Sequence, residues 1–150
     1  MADLRVVVIA PTRLHDLRRR VLREAKLEAN VVDTRDDEAT SLHVAGLLED
    51  RVVSCASYYR SSSPDHGPVV SYQMRYVATD LDVQSRGYGA RVLGYGEGEL
   101  RRRGADLVWA NARDRALGFY RREGWLLVEG SEHVSTESQL PHTRIFKELR

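Results

Sequence analysis

Apolar residues come in short runs over residues 4–9, 42–48 and 52–59, and at three- and four-residue spacing over residues 14–27. The runs predict strands. The wider spacing puts Leu14, Leu17, Val21, Leu22 and Ala25 on one face, after Pro11 and Thr12, and predicts a helix whose other face is rich in arginine. Glu49-Asp50-Arg51 is a turn short enough that an antiparallel hairpin is the simplest pairing of its flanking strands. Residues 30–41 are acidic and polar and read as a loop or a short irregular helix, and residues 61–68 read as a mobile loop. A strand over 69–79, a helix over 87–103, a strand over 107–110, a helix over 115–123 and strands over 125–129 and 143–149 complete the pattern. The helix over 87–103 points Ala90, Val92, Leu93, Gly96 and Leu100 one way, yet Gly94, Gly96 and Gly98 interrupt it at about 1 kcal/mol each relative to alanine. Either it packs unusually close to a neighbour or its second half is loose.

Between the fourth strand and that helix lies Val83-Gln84-Ser85-Arg86-Gly87-Tyr88-Gly89-Ala90. The first N–H groups of a helix have no acceptor within it, and the macrodipole adds positive charge at the same end, so this loop is suited to a phosphate or pyrophosphate. No Gly-Lys-Ser/Thr follows, which argues against a nucleoside-triphosphate loop. Val92 leaves the three-glycine dinucleotide fingerprint incomplete.

Gln84-x-x-Gly87-x-Gly89-Ala90 resembles the pyrophosphate-binding signature of the GCN5-related N-acetyltransferase (GNAT) superfamily. Downstream, Leu107-Val108-Trp109-Ala110-Asn111-Ala112-Arg113 and Ala116-Leu117-Gly118-Phe119-Tyr120-Arg121-Arg122-Glu123-Gly124-Trp125 resemble the strand and the A-x-x-F-Y-x-x-x-G-F helix of the same superfamily. The resemblance implies one α/β (α+β) domain over residues 1–150, with a mixed sheet of about six or seven strands flanked by about four helices. It also implies acetyl-CoA as co-substrate. Gln84, Ser85, Arg86, Gly87, Tyr88, Gly89 and Ala90 then hold the pyrophosphate, and Val77, Ala78 and Thr79 offer main-chain groups to the thioester carbonyl and the pantetheine arm.

Composition narrows the alternatives. The 150 residues suffice for a core without metal or disulfide staples, and no apolar run approaches a membrane span. A single cysteine, Cys55, and the lack of a signal-peptide pattern lead to a cytoplasmic expectation. With a formal net charge of +1, Arg18-Arg19-Arg20 and Arg101-Arg102-Arg103 read as solvated helix faces, not a nucleic-acid surface. No His or Cys spacing suits a metal.

Acyl transfer to an amine needs a neutral nucleophile, a place for the oxyanion and a proton for the departing thiolate. An alkylammonium with a pKa near ~10 is about one part in a thousand neutral at pH 7, a handicap of roughly 4 kcal/mol, so a base or a desolvating pocket must help. Tyr120, in the intact Phe-Tyr-x-x-x-Gly context, is the candidate general acid. His43 and His142 are the base candidates, because no carboxylate falls inside the fourth strand, and Asp80 and Asp82 at its end suit a turn. Asn111 and Arg113, expected just after the fifth strand, are candidates for the pantetheine arm and a phosphate, against a helix cap and a solvated charge.

The sequence therefore predicts an N-acetyltransferase that joins acetyl-CoA and a primary amine in a ternary complex. A catalytically degenerate acyl-CoA sensor or partner subunit is the alternative. The acceptor is not legible, although Asp33, Asp36, Asp37 and Glu38 have the charge to attract a cation. A homodimer is compatible with the chain; nucleic-acid and membrane partners are not expected.

Overall fold

The computed structural model describes residues 3–24 and 29–150. The chain divides into two compact units, one of Met1–Arg60 with Met74–Glu99 and one of Ser61–Gln73 with Leu100–Arg150.

In the first unit, β1 (Leu4–Val8), β2 (Leu42–Leu48), β3 (Arg51–Arg60) and the later part of β4 (Ser71–Thr79) follow one another in sheet order. β1 pairs antiparallel with β2, from Leu4 opposite Leu48 to Val8 opposite Val44. β2 and β3 form the expected hairpin, with a register shift between Gly46 and Leu47. Every residue of β3 from Val53 to Tyr59 is buried, so the strand is covered on both faces. The helix predicted to start near residue 14 is a composite: a tight turn at Pro11–Leu14, α1 at His15–Leu17, and a wider-wound continuation at Arg18–Leu22. Its predicted end, including Ala25 and Leu27, lies outside the described residues. Leu14 and Leu17 fill a core with Ala45, Leu47, Cys55 and Ala78, and burial of each leucine contributes roughly 1.5–3 kcal/mol. Leu4, Val53 and Val83 form a second core cluster.

Helix α2 (Tyr88–Arg102) begins in this unit, with Val92, Leu93 and Gly96 buried. Of the glycines at 94, 96 and 98, Gly96 has a clear packing reason. A Cβ at Gly96 would stand 2.5 Å from the Tyr58 hydroxyl, whereas at Gly94 it would meet nothing within 4 Å.

In the second unit the first residues of β4 run parallel to β5 (Leu107–Arg113), from Ser71 opposite Leu107 to Gln73 opposite Trp109. β5 runs antiparallel to β8 (Pro141–Glu148), and β6 (Leu126–Leu127) and β7 (His133–Val134) both pair with β8. α3 (Leu117–Arg122) follows a tight turn at Asp114–Ala116. Gly124, at φ +90°, ends α3 as predicted, with Trp125 N–H donating to the Tyr120 carbonyl at 3.0 Å.

The sheet is mixed, with eight strands among the described residues. It differs from expectation at the second unit's ends. β5 reaches Arg113 because β8, starting at Pro141, supplies partners as far as His142. β7 lies between the strands predicted over 125–129 and 143–149, where no element was expected, and β6 is shorter than predicted. The loop at 61–68, expected to be mobile, is tied down. The Trp109 indole N–H donates to the Ser61 carbonyl, Ser63 is buried, and Arg144 makes a two-point ion pair with Asp65 at 2.8 and 2.9 Å.

Candidate functional site

The glycine loop forms where β4 ends. Asp80 caps the short turn Leu81–Val83 by accepting the Leu81 N–H, while its carboxylate takes Arg20 and Arg51. Burial pushes the Asp80 carboxyl up, but the two arginine hydrogen bonds outweigh it and hold the group below the usual range. Asp80 is thus a turn-former, one of the readings its position allowed. The Gln84 amide donates back to the Thr79 carbonyl at 3.0 Å, which fixes the loop to the strand end. Ser85 at φ +65° and Gly87 at φ +80° bracket the exposed Arg86 in the left-handed region, and α2 starts at Tyr88. Gly87 has open space where a Cβ would be, so backbone conformation, not crowding, demands glycine there. The first α-helical bond runs from the Arg91 N–H to the Gly87 carbonyl, which leaves the N–H groups of Tyr88, Gly89 and Ala90 without acceptors in the helix. The loop therefore joins positive φ, a helix start and an arginine, the features an anion needs.

Just upstream, Tyr76 takes φ +57° in the interior of β4. For a bulky side chain this costs about 1–3 kcal/mol and persists only where the surroundings enforce it. Val77, Ala78 and Thr79 follow directly.

Those surroundings are a buried polar cluster that the sequence did not reveal. Arg18 is fully buried and donates to the Val31 carbonyl at 2.8 Å, to Asp36 at 3.0 and 3.4 Å, to Ser57 Oγ at 2.8 Å and to Tyr59 at 3.4 Å. The reading of the arginine run at 18–20 as a solvated face fails at this residue. Two of the four acidic residues at 33–38 are likewise buried and paired, while Asp37 and Glu38 stay exposed. Asp36 accepts from Arg18 and from the Tyr59 hydroxyl, and Asp33 accepts from Arg35 and Arg75, each at 2.9 Å. Burial pushes Asp33 up, yet the bonds from Arg35 and the charge of Arg75 prevail and bring its carboxyl down to about 2.

His43 belongs to this cluster. Nε2 lies 2.9 Å from the Asp36 carbonyl and Nδ1 lies 2.7 Å from Ser57 Oγ. A carbonyl only accepts, so Nε2 carries the proton; Ser57 takes a bond from Arg18 and gives its own to Nδ1. Burial, outweighing the Asp36 contact, holds His43 below the usual histidine range and keeps it neutral. Both its nitrogens are engaged, which suits holding Ser57 and the 36 loop in place.

In the second unit Tyr120 is buried between aromatic rings, 5.2 Å from Phe119 and 5.6 Å from Trp125 by centroid. Burial pushes its phenol above the ordinary range, so it stays protonated at neutral pH. His142 is buried in β8. Its Nδ1 lies 2.9 Å from the Leu140 carbonyl, an acceptor, so the neutral ring keeps its lone pair on Nε2. Asn111 and Arg113 lie within β5, opposite Arg144 and His142, not after the strand as expected. The residue at the cap position of the Asp114–Ala116 turn is Arg113, which makes no side-chain capping bond, so Asn111, two residues earlier inside β5, is not the helix cap. Asn111 is exposed and Arg113 half-buried.

The sequence profile described as the Acetyltransferase (GNAT) family matches residues 12–125. The chain is 26% identical over 125 residues to an uncharacterized N-acetyltransferase, YitI, of Bacillus subtilis (strain 168), a match that spans 83% of each protein. Among solved structures, a crystal structure described as a putative N-acetyltransferase from Lactobacillus plantarum superposes with a TM-score of 0.77 at 19% identity, covering 98% of this chain and 99% of that one. An aminoglycoside 6'-N-acetyltransferase in complex with coenzyme A superposes with a TM-score of 0.72 at 14% identity, covering 97% of each chain.

Proposed function

The chain belongs to the GNAT acetyltransferase family, and from that premise we propose that it transfers the acetyl group of acetyl-CoA to a primary amine by direct attack within a ternary complex. The loop at 84–90 carries this reading: Ser85 and Gly87 at positive φ, ahead of the free amides that open α2, make a seat for a diphosphate. A relative of the same fold solved with coenzyme A supports the choice of ligand.

In this mechanism the amine nitrogen attacks the thioester carbonyl carbon. Main-chain N–H groups of Val77, Ala78 and Thr79 stabilise the oxyanion, and the pantetheine arm runs along the same strand. The C–S bond then breaks, the thiolate takes the Tyr120 proton, and the amine proton passes to a base and on to water. Burial makes the Tyr120 phenol a weaker acid in absolute terms, but a thiolate in equally dry surroundings is a stronger base, so the transfer stays workable. His142, with Nδ1 fixed and Nε2 available, suits the base role better than His43, whose two nitrogens are already bonded. Asn111 and Arg113 are proposed to meet the pantetheine arm and a phosphate.

The test is thiol release from acetyl-CoA with a panel of primary amines, run beside calorimetric titration with coenzyme A. Binding plus release with at least one amine is expected. Tight binding with no release on any acceptor would convert the assignment to an acyl-CoA sensor, and no binding would end both.

A further inference from the structure

We infer that Arg18 is a positioning residue for acyl transfer: anchored by Asp36, it stacks on Tyr76 and holds β4 in the left-handed turn that sets the main chain of Val77, Ala78 and Thr79. This rests on the proposed role of those three residues, and it explains why so much buried charge is gathered there.

The Arg18 guanidinium carbon lies 4.0 Å from the centre of the Tyr76 ring, and that of Arg75 lies 4.6 Å from it. Each arginine is tethered by one aspartate of the same loop, Arg18 by Asp36 at 3.0 Å and Arg75 by Asp33 at 2.9 Å. The Tyr76 carbonyl is held as well, by the Cys55 thiol at 3.3 Å. Ring and carbonyl of the strained residue are thus gripped from three sides, by the buried Arg18 and Cys55 and the half-buried Arg75. A buried ion pair is rarely the most stable way to fill a core, since apolar side chains of similar volume often do as well or better. Arg18 also forgoes a bond at Nε, which has no hydrogen-bond partner among the described residues, while its other nitrogens take four different residues. Its placement therefore serves the planar stack and the fork together, a combination lysine lacks.

The experiment compares wild type with Arg18→Lys, Tyr76→Leu and Tyr76→Phe. Tyr76→Leu removes the ring but leaves the Arg18 hydrogen bonds in place, so it decides the question if Arg18→Lys does not fold. Two readouts are taken: the amide NMR shifts of Val77, Ala78 and Thr79 in the free protein, and the affinities for acetyl-CoA and for 3′-phospho-ADP, the nucleotide half of the cofactor. Arg18→Lys and Tyr76→Leu should move those amides and weaken acetyl-CoA by about tenfold, with 3′-phospho-ADP unchanged and Tyr76→Phe like wild type. Unmoved amides in a folded Tyr76→Leu protein, or equal losses for both ligands, would overturn the inference. If wild type binds neither ligand, the proposed function fails, and the amide shifts alone still decide whether Arg18 sets the strand.

Discussion

Gly96 lies against the ring of Tyr58, so close that a Cβ on the glycine would stand 2.5, 2.6 and 2.7 Å from the hydroxyl, Cε2 and Cζ atoms. Helix α2 and strand β3 approach each other across this contact, and Tyr58 is fully buried. The glycines in α2 are therefore not equivalent: Gly96 is demanded by packing, and Gly94 faces open space.

Opposite effects of one chemical change follow. Gly96→Ala forces the rigid ring or the helix aside, and overpacking of this kind costs about 1–3 kcal/mol. Gly94→Ala gains helix propensity and meets nothing, so it should stabilise by up to about 1 kcal/mol. Urea denaturation of the two variants checks both signs, and a Gly96→Ala protein as stable as wild type would show that the contact yields easily.

Gly87 calls for a different argument. At φ +80° with no neighbour within 4 Å of its Cβ position, it tolerates volume but not an L side chain's backbone preference. Gly87→Ala should cost about 1–2 kcal/mol of local strain, relieved by shifting the loop. Coenzyme A affinity is expected to fall about tenfold, with the melting temperature hardly changed, because the loop is exposed and can relax without unfolding. Calorimetric titration beside a thermal melt distinguishes this from general destabilisation.

What the sequence makes legible divides along physical lines. The hairpin, the glycine loop and the Gly124 helix end rest on local rules, on period, turn length and positive φ, and all three can be read from the residues. The cluster around Arg18 cannot, because it depends on a partner loop 18 residues away in sequence. At that range a buried Arg18–Asp36 pair looks the same as two surface charges. Asp33 is opaque in part for the same reason, since Arg35 is a local partner but Arg75 lies 42 residues away. β7 and the last residues of β5 escape because their strand character comes from pairing with β8, not from their own alternation. Tyr76 carries no sequence signal at all: positive φ on a tyrosine is visible only in the backbone.

Tyr120→Phe separates chemistry from packing. The ring contacts with Phe119 and Trp125 survive the change, so stability should stay within about 0.5 kcal/mol. Removing a general acid typically costs about 10²- to 10⁴-fold, so kcat for thiol release should drop by about a hundredfold or more while KM for acetyl-CoA changes little. A Tyr120→Phe enzyme with undiminished turnover would assign the tyrosine to the core alone.

Acid stability should be governed in part by Asp33. Its carboxyl sits at about 2 in the folded chain, because the hydrogen bonds from Arg35 and the charge of Arg75 overcome the upward push of burial. In the unfolded chain an aspartate titrates near ~3.9. A depressed folded value means that the unfolded state binds the extra proton, so the stabilising contribution is fully present above about pH 5 and is lost as pH falls toward about 2. Its size is on the order of 2 kcal/mol. Asp33→Asn removes the titration: the variant should be less stable than wild type at neutral pH, and the gap should close progressively between about pH 5 and pH 2. Urea midpoints measured at half-unit steps over that range test the sign directly. A gap that stays constant with pH would mean that the two arginines hold Asp33 no more tightly than water does.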